Sequence, residues 1–487
     1  MSDIAQSSTD APRRGGRAGE IATIYRAEPV EAVLLIALLC GLSWAPFWVG
    51  STGDFPWAFN ALYFPSLAII YEASLLIRGK SHPFAAKRLA VPIGLFLPVV
   101  LWIYVQMSPL VPASLVHPIW VMASEVLGRP LAGTISVNSN VSALALMRLI
   151  TDASVLWLAI QLCRDPARAI LALRWVAITV AAYSAYGIIL TAVYASDIPF
   201  FRVPTATGYV RSTFVNKNSF ATYAGLGLIA SLALILRLYR HEVPDAQGLM
   251  SYRLTKLIDA TGRRGWLLLA VGFITLVALL GSVSRGGVLA SVLAVAVVLA
   301  LAMTRKRRRR TEQLEAILVV AAVGFASFAV FGDLIVGRIT TAGLQDTSRF
   351  AVYQITTRAI FDSPLIGFGY GTFADVFPMY RDNSLSVHNV WDMAHNTYLE
   401  VWLGLGLIGG TMLMGAIGYL VFLTVAGAIT RRRDATPAII GAACSILVGL
   451  QALVDFSLQI EAVSLTYMAL LGTGVAESVS SRVAVSD

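Results

Sequence analysis

Twelve apolar stretches alternate with short polar segments along the chain, near residues 31–49, 57–77, 89–107, 143–162, 169–193, 218–237, 266–283, 287–303, 314–331, 397–426, 437–453 and 459–476. Each approaches the roughly 20 residues a helix needs to cross the hydrocarbon core of a bilayer. A helix satisfies its own backbone hydrogen bonds in lipid. The pattern therefore predicts an all-α polytopic membrane protein with about 12 transmembrane helices. Residues 1–30 are expected to be a cytoplasmic N-terminal tail, 31–476 the transmembrane domain and 477–487 a cytoplasmic C-terminal tail. The PRRGGR run at 12–17 is not followed by a short cleavable apolar core, so 31–49 is expected to stay as the first span. No internal repeat or separate soluble domain is visible.

Composition strengthens this picture. Hydrophobic residues make up 57% of the chain and charged residues 13%, with a mean hydropathy of +0.72. Soluble domains sit nearer half and a quarter. A soluble enzyme, a disordered chain and a secreted disulfide scaffold are excluded on that ground. Cys40, Cys163 and Cys444 stand alone, without a CxxC or metal-ligand spacing. The net charge of +9 raises nucleic acid as a partner until the positions of the charges are considered. With the N-terminus inside, 27 of the 37 Lys and Arg residues fall on the cytoplasmic side, including RGK at 78–80, RKRRRR at 305–310 and RRR at 431–433. Basic loops are retained in the cytoplasm. The charge is thus topological, and no nucleic-acid partner is expected.

On the opposite, periplasmic side two connections stand out. Residues 332–396 form a loop of about 65 residues, and loops so long usually carry function. Within it, TSRFAVYQITTRAIFDSPL predicts an amphipathic helix with Phe350, Tyr353, Ile360 and Phe361 on one stripe and Arg349 and Arg358 elsewhere. The second connection, 108–142, has aromatic-rich stretches suited to the membrane interface.

The polar residues left on this side are the candidate chemistry. Arg211 and Lys217 flank the start of the sixth span, where Asn216 and Asn218 add donors at a helix N-terminus. Such a start suits an anion, although a snorkelling cap also fits. Arg285 lies in GSVSRGGVLA, at the tip of a hairpin with almost no loop, and its guanidinium fork suits phosphate oxygens. An ordinary hairpin arginine is the alternative. His395 immediately precedes the tenth span, with Asn396, Tyr398 and Glu400 close by. Its ordinary pKa suits proton abstraction near neutrality. Glu400 stands in an apolar helix and needs a partner there, and Asp455 is another carboxylate at a span end. The chain lacks GxxxxGK[ST], HExxH and DxD, and GFGYGTF lacks the strand–helix context of a dinucleotide site. No site for ATP, a nucleotide sugar or zinc is expected, and no cofactor or metal.

Five segments, in order, resemble the O-antigen ligase and polymerase family of bacterial surface-polysaccharide enzymes. They are FVNKNSFATYAGLGL at 214–228, SRGGVLA at 284–290, SRFAVYQITTRAIFDSPLIGFGYGTF at 348–373, HNTYLEVWLGLGLIGG at 395–410 and VDFSLQIEA at 454–462. The resemblance spans roughly residues 130–475. It implies a GT-C-like, inverting and metal-independent glycosyltransferase of the inner membrane, with twelve spans and a large periplasmic loop before helix 10. The implied donor is a glycan on undecaprenyl diphosphate. The implied acceptor is lipid A–core for a ligase, slightly favoured by the long loop, or another lipid-linked repeat for a polymerase. By position, Arg211 and Arg285 would hold the diphosphate and His395 would be the base for the acceptor hydroxyl. Lys217, Asn216, Asn218, Arg349, Asn396 and Tyr398 would bind substrate, with Glu400 and Asp455 in support. Lys217 and Glu461 stand where many relatives have proline. A twelve-helix transporter or lipid-linked glycan flippase is the rival from another class, but RGKSHPFAAKR lacks the signature of major facilitator proteins. A non-catalytic assembly protein is the last alternative.

Overall fold

The structure is a computed structural model that describes residues 28–193, 197–199, 201, 203–204, 208–242, 250–304, 343–386, 388–431 and 433–479. The expected ninth span at 314–331, the RKRRRR run, residues 332–342 of the long loop and most of both expected tails lie outside the described residues. What is described is helical apart from a two-stranded hairpin, Asp197–Ile198 with Val203–Pro204. The chain is an all-α polytopic membrane protein. Among the described residues eight helices are long and apolar enough to cross a membrane, and two more, Gly265–Gly281 and Thr436–Gln451, are apolar but shorter.

In chain order the helices are α1 Pro29–Trp44, α2 Asp54–Ile77, α3 Ala90–Met107, α4 Ile119–Leu127, α5 Ser139–Leu162, α6 Pro166–Ala192, α7 Lys217–Glu242 and α8 Met250–Gly281. They continue with α9 Arg285–Thr304, α10 Gly343–Asp362, α11 Phe373–Tyr380, α12 Thr397–Thr430, α13 Thr436–Gln451 and α14 Glu461–Ser478. Helices therefore occupy every expected span that falls within the described residues. Their starts have local causes. Asn138, Asp165 and Asn396 accept the amides of Val141, Arg168 and Leu399, satisfying helix N-termini that would otherwise lack acceptors.

α14 is the central helix, buried from Glu461 to Glu477. It is less apolar than its neighbours because it faces protein rather than lipid. Small residues allow its close packing: a Cβ on Gly472 would lie 2.7 Å from Ala159 Cβ, and one on Gly474 would lie 3.0 Å from Gly441 Cα.

The two ends of the bundle differ. At the end carrying the C-termini of α2, α5, α7 and α12, basic residues are tied to acids or carbonyls. Arg78 meets Glu31 at 2.8 Å, Arg168 meets Glu28 at 2.7 Å, and Arg237 pairs with Asp434. Burial pushes the Asp434 carboxyl up, but hydrogen bonds from Thr436 and Arg237 outweigh it and hold the group below its ordinary value.

The other end carries the N-termini of α2, α5, α7, α9, α12 and α14, and a cap built on a second hydrophobic cluster. α10 forms where the amphipathic pattern predicted a helix, but only part of the expected stripe, Ile360 among it, is buried. Val352, Ile355, Ala359 and Ile360 are covered, whereas Phe350 and Phe361 are 63% and 68% exposed. The covered residues of α10 pack with Phe368, Phe373, Val376 and Phe377 of the following segment and with Leu403 of α12. α4, in the 108–142 connection, leaves Val121, Met122, Val126 and Leu127 exposed.

The GFGYG segment joins the cap to the bundle by backbone contact. Phe368 N and Gly369 N donate to the carbonyls of Leu403 and Gly404, both at 3.0 Å, and Leu407 N donates to Pro364 O at 2.7 Å. α12 breaks at Gly406 (φ 73°, ψ 170°) to receive it. A Cβ on Gly367 would stand 2.4 Å from Gly404 O, so glycine is required by the closeness of the two chains.

Candidate functional site

The stretch from Gln451 to Ser457, after α13, is where distant parts of the chain converge. Thr397 N donates to Ala452 O at 2.9 Å, and Asn396 Nδ2 to Leu453 O at 3.0 Å. Arg349 Nη1, from α10, donates to Val454 O at 3.3 Å. Gly286, at the start of α9, lies against Gln451 and Val454, to whose side chains an added Cβ would be 3.2 and 3.4 Å. The carboxylate of Asp455 completes the junction.

Asp455 is fully buried and holds three partners. Its Oδ2 accepts from Ser457 Oγ, and its Oδ1 accepts from Asn218 Nδ2 at 3.3 Å. The same Oδ1 lies 3.6 Å from His395 Nδ1. That nitrogen is buried and makes no hydrogen bond in the described structure. His395 itself is partly exposed, its ring edge-on to Trp391 and Phe456 at centroid distances of 5.6 and 4.9 Å. A buried carboxylate facing Nδ1 favours the tautomer with its proton there, which leaves Nε2 as the basic nitrogen.

The arginines sit on neighbouring turns. Val210 N donates to Gly281 O at 2.7 Å, which places the Arg211 strap beside the α8–α9 turn that carries Arg285. The strap is fixed on both sides of its bend: Ser212 Oγ donates to Tyr183 O and Thr213 Oγ1 to Pro46 O. Arg211 Nη1 donates to Val215 O at 2.8 Å, while its Nε is buried without a partner. Arg285 is partly buried and its guanidinium has no partner among the described residues. Partly buried guanidinium groups with donors to spare are suited to an anion.

The other expected residues divide by what they touch. Asn216 and Asn218 face inward: Asn216 Oδ1 accepts from Asn218 N, and Asn218 Oδ1 accepts from Ser284 Oγ. Asn218 thus ties α7 to Asp455 and to the α9 turn. Lys217 lies over the Tyr209 ring at 4.7 Å. Asn396 caps α12, and Tyr398 donates to Gly449 O at 2.9 Å. Glu400 accepts from Ala394 N and from Gln459 Nε2.

Several residues were passed over in the sequence. Ser284 and Ser457 orient the Asn218–Asp455 pair, and Tyr353 donates to His395 O at 2.9 Å. All three lie inside the quoted segments, so their neighbourhood was legible although their partners were not. Arg148, on α5, had no such signal. It donates to Gln459 O, approaches Glu461 Oε1 at 3.5 Å and stacks over Trp57 at 4.6 Å. Glu461 in turn accepts from Asn60 at 2.6 Å, which gives this buried carboxyl a structural partner. Tyr370 packs against Val99, Ile103, Leu405 and Leu413, and burial pushes its phenol up to about 12. Among the described residues no cluster of His, Cys, Asp or Glu is placed to hold a metal ion.

Residues 270–414 match the family model described as O-antigen ligase, the family that the five segments resemble. The match takes in Arg285, Arg349, His395 and Glu400, while Arg211, Asn218 and Asp455 lie outside it. No curated protein matches the chain.

Proposed function

We propose that this chain, similar over residues 270–414 to the O-antigen ligases, is a membrane glycosyltransferase. It moves a glycan from undecaprenyl diphosphate to an acceptor hydroxyl on the periplasmic face of the inner membrane. The carrying observation is the His395–Asp455 pair, assembled on the same junction that seats Arg349 and the turn of Arg285.

In this reading His395 Nε2 takes the proton of the acceptor hydroxyl as its oxygen attacks the anomeric carbon. The bond from that carbon to the diphosphate oxygen breaks, and the diphosphate leaves with the electron pair. Attack opposite the leaving group inverts the anomeric centre. Arg285, Arg211 and Arg349 stabilise the charge that collects on the diphosphate, where water is partly excluded. Asp455 steadies the imidazolium that forms. The donor already carries its leaving group, so neither ATP nor a nucleotide is needed. The excess of Lys and Arg expected on the cytoplasmic side supports an outward-facing site.

Lipid A–core is the favoured acceptor, which makes the enzyme a ligase; another lipid-linked repeat would make it a polymerase. The glycan profile of a deletion strain separates the two. Long polymer accumulating on undecaprenyl diphosphate over bare lipid A–core is the ligase outcome. Single repeats alone mark a polymerase. No change in either pool overturns both assignments.

A further inference from the structure

His395 adopts a left-handed backbone conformation (φ 54°). A residue with a Cβ keeps this only where its surroundings over-determine it. Here the backbone before and after the residue is held by side chains from different elements. Before it, the Ala394 amide donates to Glu400 Oε1 on α12. After it, the His395 carbonyl accepts from the Tyr353 hydroxyl on α10 at 2.9 Å.

We propose that Tyr353 and Glu400 are positioning residues forming a two-sided backbone clamp on His395, which aims Nδ1 at Asp455 and Nε2 at the acceptor. This rests on the reading of His395 as the base. Glu400 is a carboxylate at the head of an apolar helix, satisfied by two neutral donors, Ala394 N and Gln459 Nε2. Gln459 is itself anchored through its carbonyl by Arg148. A carboxylate in an apolar helix is costly and marks a group with a task. Tyr353 stands one turn beyond Arg349, and residues four apart share a helix face. Docking of α10 therefore sets the histidine and an anion-binding arginine together. The clamp matters because a base displaced by about 1 Å loses on the order of 10²-fold in rate.

The test uses purified full-length protein and diethyl pyrocarbonate, with modification of each histidine followed by mass spectrometry. Tyr353→Phe and Glu400→Gln are compared with Arg358→Ala, an exposed change on α10 away from the clamp. In the two clamp variants His395 should react about threefold faster as its ring escapes Asp455, while His82 and His117 keep their rates. Glycan transfer should fall about tenfold in kcat with little change in donor KM. A faster reagent but slower transfer is the mark of a mispositioned base. Unchanged His395 reactivity in both variants overturns the clamp, as does an equal change in Arg358→Ala. If the unaltered protein transfers no glycan, the proposed reaction fails, and His395 reactivity alone still decides the clamp.

Discussion

At the residue scale, a buried carboxylate 3.6 Å from an imidazole nitrogen is an arrangement with a chemical consequence. If His395 is removed as the proposed base, His395→Ala should lower kcat by about 10²–10⁴-fold, the range for general-base catalysis. Donor KM should change little. Asp455→Asn should cost on the order of 10²-fold or more, because the amide can present the wrong group to Nδ1. Steady-state glycan transfer with purified protein checks both. Arg285→Lys tests the anion site differently. Lysine keeps the charge but loses the fork, so kcat/KM should fall about tenfold to a hundredfold, matching the roughly 1.5–3 kcal/mol of a charged hydrogen bond. A full-activity lysine variant would count against diphosphate recognition by this residue.

At the element scale, the site depends on how helices begin, break and meet. α12 is broken at Gly406, where an added Cβ would stand 2.4 Å from Leu365 O. Gly406→Ala should therefore destabilise the protein by about 1–3 kcal/mol and loosen the cap. A lowered unfolding temperature, with transfer reduced beyond what folded fraction explains, is the expected outcome. The glycines of GFGYG read as turn signals in the sequence. Their purpose is backbone-to-backbone approach between two segments, which one-dimensional pattern cannot display. The partly covered stripe of α10 is a similar case. Which residues are buried depends on the neighbours, and one of these, Leu403, lies on α12.

At the scale of the whole molecule, one end of the bundle gathers the site and the other gathers pinned basic residues. Asp434 lies at the second end, and its carboxyl titrates below its ordinary value in the folded protein. A group depressed on folding contributes stability above its unfolded pKa, near 4, and that contribution is lost as pH falls through the folded pKa. Thermal unfolding of detergent-solubilised protein should weaken in this acid range, and Asp434→Asn should flatten the dependence. Orientation is tested by single cysteines in a cysteine-free background. A membrane-impermeant thiol reagent applied to spheroplasts should label Asn383→Cys, in the cap, and spare Ser81→Cys, in the α2–α3 connection, until the membrane is opened. The reverse pattern would invert the topology and remove the site from the periplasm.

The spans, the amphipathic cap helix and the residues worth suspecting were determined by the sequence alone. A bilayer imposes length and apolarity on each helix separately, so those demands are written locally and can be read locally. What only the tertiary structure decided is pairing. Asn218 appeared to be a donor for substrate, but it faces Asp455, 237 residues away. Arg148 carried no motif at all, yet it supports the strap that holds Glu400 and Glu461. Asp455 read more readily as a structural carboxylate than as a functional one until His395 was found beside it. Buried polar groups must find partners within the protein, and a partner is chosen by proximity in space. The chain order conveys which groups are present on a face; folding decides which of them meet.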